Sequence, residues 1–293
     1  MLQPTNTGVP DPGALLPTPS RAPRLLDFGA GAQSLLVAVI STVVVFGLIG
    51  WLVVNSSGWA EVQRAFFNAE VFADSLPRQV DAFLVNIQLF LAAEVLILPL
   101  ALVIAVMRSL PGPVFFPIRL LAVIYTDLFR GIPTILVIYM LGFGAPALGI
   151  QGVPTSPFFW GVVSLVLVYS AYVAEVYRAG IESVHGSQVA AARSLGLSRG
   201  QSMRYVILPQ AVRRVIPPLL NDFIGLQKDT VLVSLIGVVE AFRTAGIDSA
   251  ATFNFTPYVA LAVVYLVITV PMTRFVDAMV ARDRKRRQAG GVG

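Results

Sequence analysis

An all-α membrane protein, a bundle of six transmembrane helices, is the fold class this sequence predicts. Three observations carry the prediction. Hydrophobic residues make up 56% of the 293 and charged residues only 13%, whereas a soluble domain keeps about a quarter of its residues charged. The mean hydropathy is +0.77. Apolar windows long enough to cross a bilayer alternate with segments that hold most of the charge. A net charge of +5 raises the question of nucleic acid, but phosphate binding needs basic residues clustered on a folded polar surface, and the sequence has no such cluster. The chain has no cysteine, which excludes disulfides, cysteine-ligated zinc and a thiol nucleophile. Its single histidine, His185, reads as a solvated loop residue. No set with metal-ligand spacing exists, so neither a metal nor another cofactor is expected.

Residues 1–33 are rich in Pro, Gly and Ser and read as a disordered cytoplasmic tail. Ser34 to Val54 is uncharged, too long for a signal-peptide core and too far from Met1, so it is expected as an uncleaved helix. Ala82 to Met107 carries one charge, Glu94. The stretch from Gly131 to Ala174 is too long for one crossing, and Pro146, Gly149, Gly152, Pro154 and Pro157 divide it into two helices. Val215 to Val239 is apolar apart from Asn221, Asp222, Lys228 and Asp229, and Ser249 to Thr273 is uncharged. Trp51, Trp59 and Trp160 fall near the ends of these windows, where an aromatic belt meets the lipid interface.

Orientation follows from Lys and Arg, which concentrate in cytoplasmic loops. Of the 21, two lie in the N-terminal tail, three in 108–130, six in 178–214 and five in 282–293, the alternate segments hold Arg64, Arg78 and Arg243, and Lys228 and Arg274 fall inside or at the edge of spans. Six crossings therefore place both termini and the two basic loops inside. Segment 55–81, with Glu61, Glu70, Asp74 and Asp81, lies outside.

The inner segment from Arg178 to Arg214 is neither apolar enough to span nor polar enough for a free linker. Ser187 to Leu195 suits a short helix with small residues on one side. Gly196 is placed to stop it, and Ser198 to cap a second helix running towards Leu208-Pro209. Two short helices at an angle make a peg suited to a groove in a cytosolic partner.

This segment resembles the cytoplasmic coupling loop of permease subunits of binding-protein-dependent ABC importers. That signature reads Glu-Ala-Ala, three residues, Gly, nine residues, Ile, one residue, Leu-Pro. Here Ala191-Ala192, Gly196 and Leu208-Pro209 keep the register, while Ala190 stands at the Glu position and Val206 at the Ile position. Asp127-Leu-Phe-Arg-Gly-Ile-Pro133, the run from Tyr172 to Glu182 and the run from Leu226 to Glu240 with its Lys-Asp-Thr signature resemble the polar amino acid branch, of histidine, glutamine, glutamate and arginine type. The resemblance implies a permease domain over 82–282 with its coupling loop at 183–210, an extra helix and outer loop at 34–81, and a basic tail at 283–293. It also implies that Ala190, Ala191, Ala192, Arg193, Leu195, Gly196, Leu208 and Pro209 meet an ATPase subunit pair, that a second, identical or homologous permease completes the pore, and that an extracytoplasmic binding protein delivers the solute. The chain is then a multi-pass protein of a prokaryotic plasma membrane and does no covalent chemistry itself.

Glu94, Asn221, Asp222, Lys228 and Asp229 are the candidate translocation-path residues, because charged groups inside a membrane face the bundle or water, not lipid. The alternative for Glu94 is a structural hydrogen bond between helices; Lys228 and Asp229 are also read as neutralising each other or pairing with Asp222 to pin helices, and Arg130 as snorkelling towards head groups or taking part in gating. The runner-up function is an ion-coupled secondary transporter with Glu94 or Asp222 as coupling carboxylate, but such folds carry two inverted repeats and none is visible. A membrane-embedded enzyme would need paired catalytic residues at helix ends, and these are lacking.

Overall fold

The computed structural model describes residues 31–289; Arg21, Arg24 and the tail as far as residue 30 lie outside the described residues, as do 290–293. The described part divides into two compact units, one ending at Ala60 and one beginning at Glu61. The first holds α1, Gly31–Val54, an uninterrupted apolar helix. Its 24 residues give a length of roughly 36 Å, enough to cross the hydrocarbon.

α2, Trp59–Phe66, leads into the second unit, which continues with α3, Ala69–Ser109, capped by the Asn68 side chain accepting from the Glu70 and Val71 amides. α4 is Phe116–Gly131, α5 Thr134–Ala147, α6 Pro157–Glu182, α7 Gly186–Ser194, α8 Arg199–Ser202 and α9 Leu208–Asp229. A 3-10 stretch Thr230–Ile236 follows, then α10, Ala241–Thr252, and α11, Thr256–Ala289. Four of these helices, α1 included, are long and apolar enough to cross a membrane singly; two pairs bent by 102° and 53° bring the total to six if each counts as one span.

The bends have local causes. Ile132-Pro133 ends α4 because the residue before a proline avoids helical geometry, and Ile132 is extended at ψ 133°. The break predicted between 146 and 157 is present, with Gly149 and Gly152 at positive φ. The window expected from Ser249 to Thr273 instead joins the end of α10 to the start of α11: the chain leaves α10 at Thr252 and re-enters a helix at Thr256. The stretch is uncharged throughout, which hid the corner.

α6 is the axis of the second unit. Leu165, Val168, Ala171 and Ala174 on it are fully buried, together with Leu89, Ala93 and Ile97 of α3 and Leu226 of α9. Membrane helices pack through small residues that let backbones approach, and three glycines do this here. A Cβ on Gly142 would lie 2.6 Å from Ile236, one on Gly161 2.3 Å from Val233, and one on Gly180 2.0 Å from Val215. All three β-branched partners belong to α9 or the 3-10 stretch after it, so that whole segment is seated on α5 and α6.

Candidate functional site

The elbow is built as local backbone chemistry requires. α7 starts at His185, whose ring nitrogen accepts from the Ser187 amide at 3.3 Å, so this histidine is a helix cap as well as a solvated residue. Gly196 takes φ 81°. Its amide donates to the Arg193 carbonyl at 3.0 Å and the Leu197 amide to Ala192 at 3.2 Å, the paired bonds that satisfy the last carbonyls of a helix closed by a left-handed residue. Ser198 then opens α8 with a reciprocal cap: the Gln201 amide donates to its hydroxyl at 3.3 Å and its own amide to the Gln201 side chain at 2.8 Å. The second arm, expected to run towards Leu208-Pro209, continues past them. It passes through a widened π turn, Met203–Ile207, directly into α9. Pro209 has no amide to donate and its ring crowds the carbonyl four residues back, and the wider turn before it accommodates both.

Both arms are fixed to the bundle. Val184, Ile207 and Ala211 form a small buried core with Ile181 and Val189 against it. Arg214 of α9 donates to the Ser183 carbonyl, and to the Ser183 hydroxyl at 3.0 Å. Of the expected coupling residues, Ala192 is buried at 3% exposure while Ala190, Ala191, Arg193 and Gly196 are exposed. Leu195 is 83% exposed at the tip, and Leu208, on the outer side of the second arm, is 47% exposed; Pro209 is exposed beside it. The elbow thus presents an exposed leucine at its tip and exposed Arg193, Arg199 and Arg204 along its two arms.

The polar groups within the bundle fall into two sets. Tyr169 of α6 donates to Asp229 at 2.9 Å, and one carboxylate oxygen of Asp222 is buried without a partner. Glu94 is half-buried within electrostatic range of Asp222. These groups gather on facing sides of α3, α6 and α9. Asn221 and Lys228, by contrast, are exposed on α9. The expected Lys228–Asp229 neutralisation is not formed: Asp229 is bonded to Tyr169, and no ion pair of Lys228 occurs among the described residues. Consecutive helical residues point about 100° apart and do not face each other.

Two clusters were not anticipated. Glu175 of α6 accepts from Arg108 of α3 at 2.8 Å and from Arg178, with Arg130 of α4 at 3.9 Å. Arg130 also stacks 5.9 Å from the Tyr172 ring centroid, so this partly exposed side chain has partners within the bundle. Nearer the other end, Asn86 of α3 donates to Glu240 at 2.8 Å and to Thr230 at 3.0 Å, and accepts from the Ala241 amide at 3.1 Å. Glu240 is fully buried and caps α10. The available signal was a carboxylate directly after each apolar window, Glu175 after Ala174 and Glu240 after Val239; the partners lie too far along the chain to be read from spacing.

A bundle of spanning helices interrupted by one basic, doubly capped elbow defines the membrane-embedded component of a transport system. The chain belongs to the family described as binding-protein-dependent transport system inner membrane component, whose model matches residues 97–285. It is 33% identical over 219 residues to a probable glutamine ABC transporter permease protein, GlnM, of Bacillus subtilis, covering 74% of this chain and 99% of that one. It is 31% identical to the arginine transport system permease protein ArtQ of the same organism, over 72% and 94%, and 35% identical to the glutamate transport system permease protein GluC of Corynebacterium glutamicum, over 69% and 92%. Among solved structures, an amino acid ABC transporter crystallised with histidines matches at 34% identity and a TM-score of 0.65, covering 70% of this chain and 94% of that one. The MetNI methionine ABC transporter shares the fold at 20% identity and a TM-score of 0.51, over 72% and 99%.

Proposed function

We propose that this chain is the permease of an ABC importer for a polar amino acid, with ATP hydrolysed by a separate subunit pair docked on the elbow. One observation carries the pore: Asn221 and Lys228, seven residues apart on one face of α9, are exposed on the subunit surface. Lys228 stands about 21 Å along the helix axis from Arg214, well inside a hydrocarbon layer of about 30 Å. A lysine facing lipid there costs about 2.5–3.5 kcal/mol, so this face is covered by an aqueous path that a second permease completes. Glu94 and Asp222 supply negative charge for the ammonium group that every amino acid carries. The relatives' names, which specify glutamine, arginine and glutamate, support this substrate class. The exposed Leu195 at the tip and the exposed arginines along the arms support the ATPase contact, and Ala190 places a neutral residue where an acidic one would sit. The domain division at 34–81, 82–282 and 283–293 belongs to the same reading. Copurification of an ATPase subunit with ATP-dependent amino acid uptake in proteoliposomes tests it; uptake driven by an ion gradient without ATP would replace it with a secondary transporter.

Topology is tested on the native cysteine-free background. A label at Ser202 would fail because that hydroxyl is buried, whereas a cysteine at Gly200 meets open space and one at Asp74 is exposed. An impermeant maleimide added to intact cells is expected to modify Asp74→Cys and to reach Gly200→Cys only after permeabilisation. The reverse pattern would invert the orientation and move the elbow away from cytosolic ATP.

Glu94→Gln removes charge from the path while preserving shape. It is expected to raise the amino acid concentration for half-maximal uptake several-fold with normal recovery of the assembled complex. Unchanged uptake kinetics in Glu94→Leu would exclude Glu94 from the path.

A further inference from the structure

Phe253 is the only non-glycine residue at positive φ among the described residues, at 50°, and at 91% exposure it is also their most exposed large hydrophobic side chain. Either feature alone would be unremarkable at a helix end. Together they mean that a backbone conformation unfavourable to phenylalanine is retained in order to hold an aromatic ring out in the open. The flanking residues fix it there. The Asn254 side chain donates to the Arg64 carbonyl at 2.8 Å and accepts from the Thr256 amide at 2.9 Å. The Phe255 amide donates to the Ala65 carbonyl at 2.7 Å, and its ring stacks on Phe66 at 5.1 Å. The Asn68 amide closes the frame on the Thr256 hydroxyl at 3.2 Å.

The ring is therefore presented by a rigid mount, which is what an interface anchor requires, because little freedom remains to be lost on binding. Its setting is aqueous. Glu61 and Arg64 pair at 3.8 Å with both side chains more than three-quarters exposed, and Arg78 pairs with Asp248 at 3.1 Å. The apolar window of α3 begins 13 residues beyond Ala69, which puts the mount about 20 Å along the α3 axis outside that window. On α11 the candidate span starts at Thr256, three residues beyond Phe253, so the mount sits where the outer end of that span gives way to exposed charged side chains.

We infer that Phe253 is an anchor on the outer face for the soluble binding protein on which this family depends, entering an apolar pocket of that protein while the surrounding charges form the rim. The inference rests on the import reading and on the outward orientation of segment 60–78.

The test uses the complete complex in proteoliposomes, with the purified solute-binding protein titrated on the outer side. Asparagine tolerates the left-handed conformation better than phenylalanine, so Phe253→Asn removes the ring without adding strain and is expected to melt no lower than the wild type. The binding-protein concentration for half-maximal uptake should rise about tenfold or more, the scale expected for losing an aromatic anchor. Saturating binding protein should recover the maximal rate, and Phe253→Tyr should restore the wild-type half-saturation. A photoreactive benzoylphenylalanine at 253 should crosslink to the binding protein. If binding protein stimulates the wild type but Phe253→Asn shows unchanged half-saturation, the anchor is wrong and the import reading stands. Crosslinking to lipid or to a second copy of this chain would also overturn the anchor. Wild-type uptake indifferent to every binding protein would remove both.

Discussion

Gly196→Val is expected to abolish uptake while leaving the protein in the membrane. A Cβ at this position meets nothing within 4 Å, so crowding has no part in the effect. The cost is in the backbone, because φ 81° is a conformation that a β-branched residue adopts only as an outlier. If the valine leaves that conformation, the amides of Gly196 and Leu197 no longer reach the carbonyls of Arg193 and Ala192, and α8 departs from α7 in a new direction. The exposed Leu195 then moves relative to Met203 and Leu208 on the second arm. The bundle core around α6 is remote from this change, so membrane recovery should be normal. Asparagine, which accepts the left-handed region, is the control: Gly196→Asn is expected to retain most uptake and ATPase binding, and Ala190→Glu should also be tolerated on an exposed position. Uptake, ATPase retention and hydrolysis measured in reconstituted complexes decide it. Normal uptake by Gly196→Val would separate the elbow from coupling.

This corner was legible in the sequence because its determinants are local. A glycine after a run of small residues and a serine three residues before a glutamine specify a stop and a reciprocal cap regardless of the remaining chain. The apolar windows were legible for a similar reason, since bilayer thickness sets their length. Packing partners were not. Glu175 gathers arginines from positions 108, 130 and 178, and Asn86 reaches Thr230 and Glu240 across more than 140 residues; no periodicity encodes such pairs. Of the pairings read for Lys228, neither the one with Asp229 nor the one with Asp222 is among the ion pairs of the described residues, and adjacent helical residues diverge in space. α10 escaped notice because Ala241–Thr252 is too polar to make an apolar window, yet its cap, Glu240, is among the most deeply buried charged residues of the bundle.

Glycine at 180 is a different matter from glycine at 196, and it should give the larger loss of stability. Gly180 is an ordinary helical residue near the C-terminal end of α6, and its importance lies in what faces it. A Cβ there would stand 2.0 Å from Cγ1 of Val215 and 3.5 Å from the Ala211 carbonyl oxygen. Valine is short and stiff at χ1, so it cannot swing clear; α6 and α9 must separate or Val215 must leave its rotamer. Overpacking of this kind costs about 1–3 kcal/mol. The displacement would be transmitted where it matters, because Arg214, the neighbour of Val215, holds Ser183 at the root of the elbow. Gly180→Ala is thus expected to lower the melting temperature of the detergent-solubilised complex by several degrees and to reduce uptake. Val215→Ala alone should cost a cavity of two methyl groups, and combined with Gly180→Ala it should make room for the new Cβ. The double variant is expected to be more stable than the sum of the two single losses allows, and to regain uptake, because the helix separation set by the glycine–valine contact is restored. Additive losses in this cycle would show that the close approach of α6 and α9 does not limit stability at this crossing.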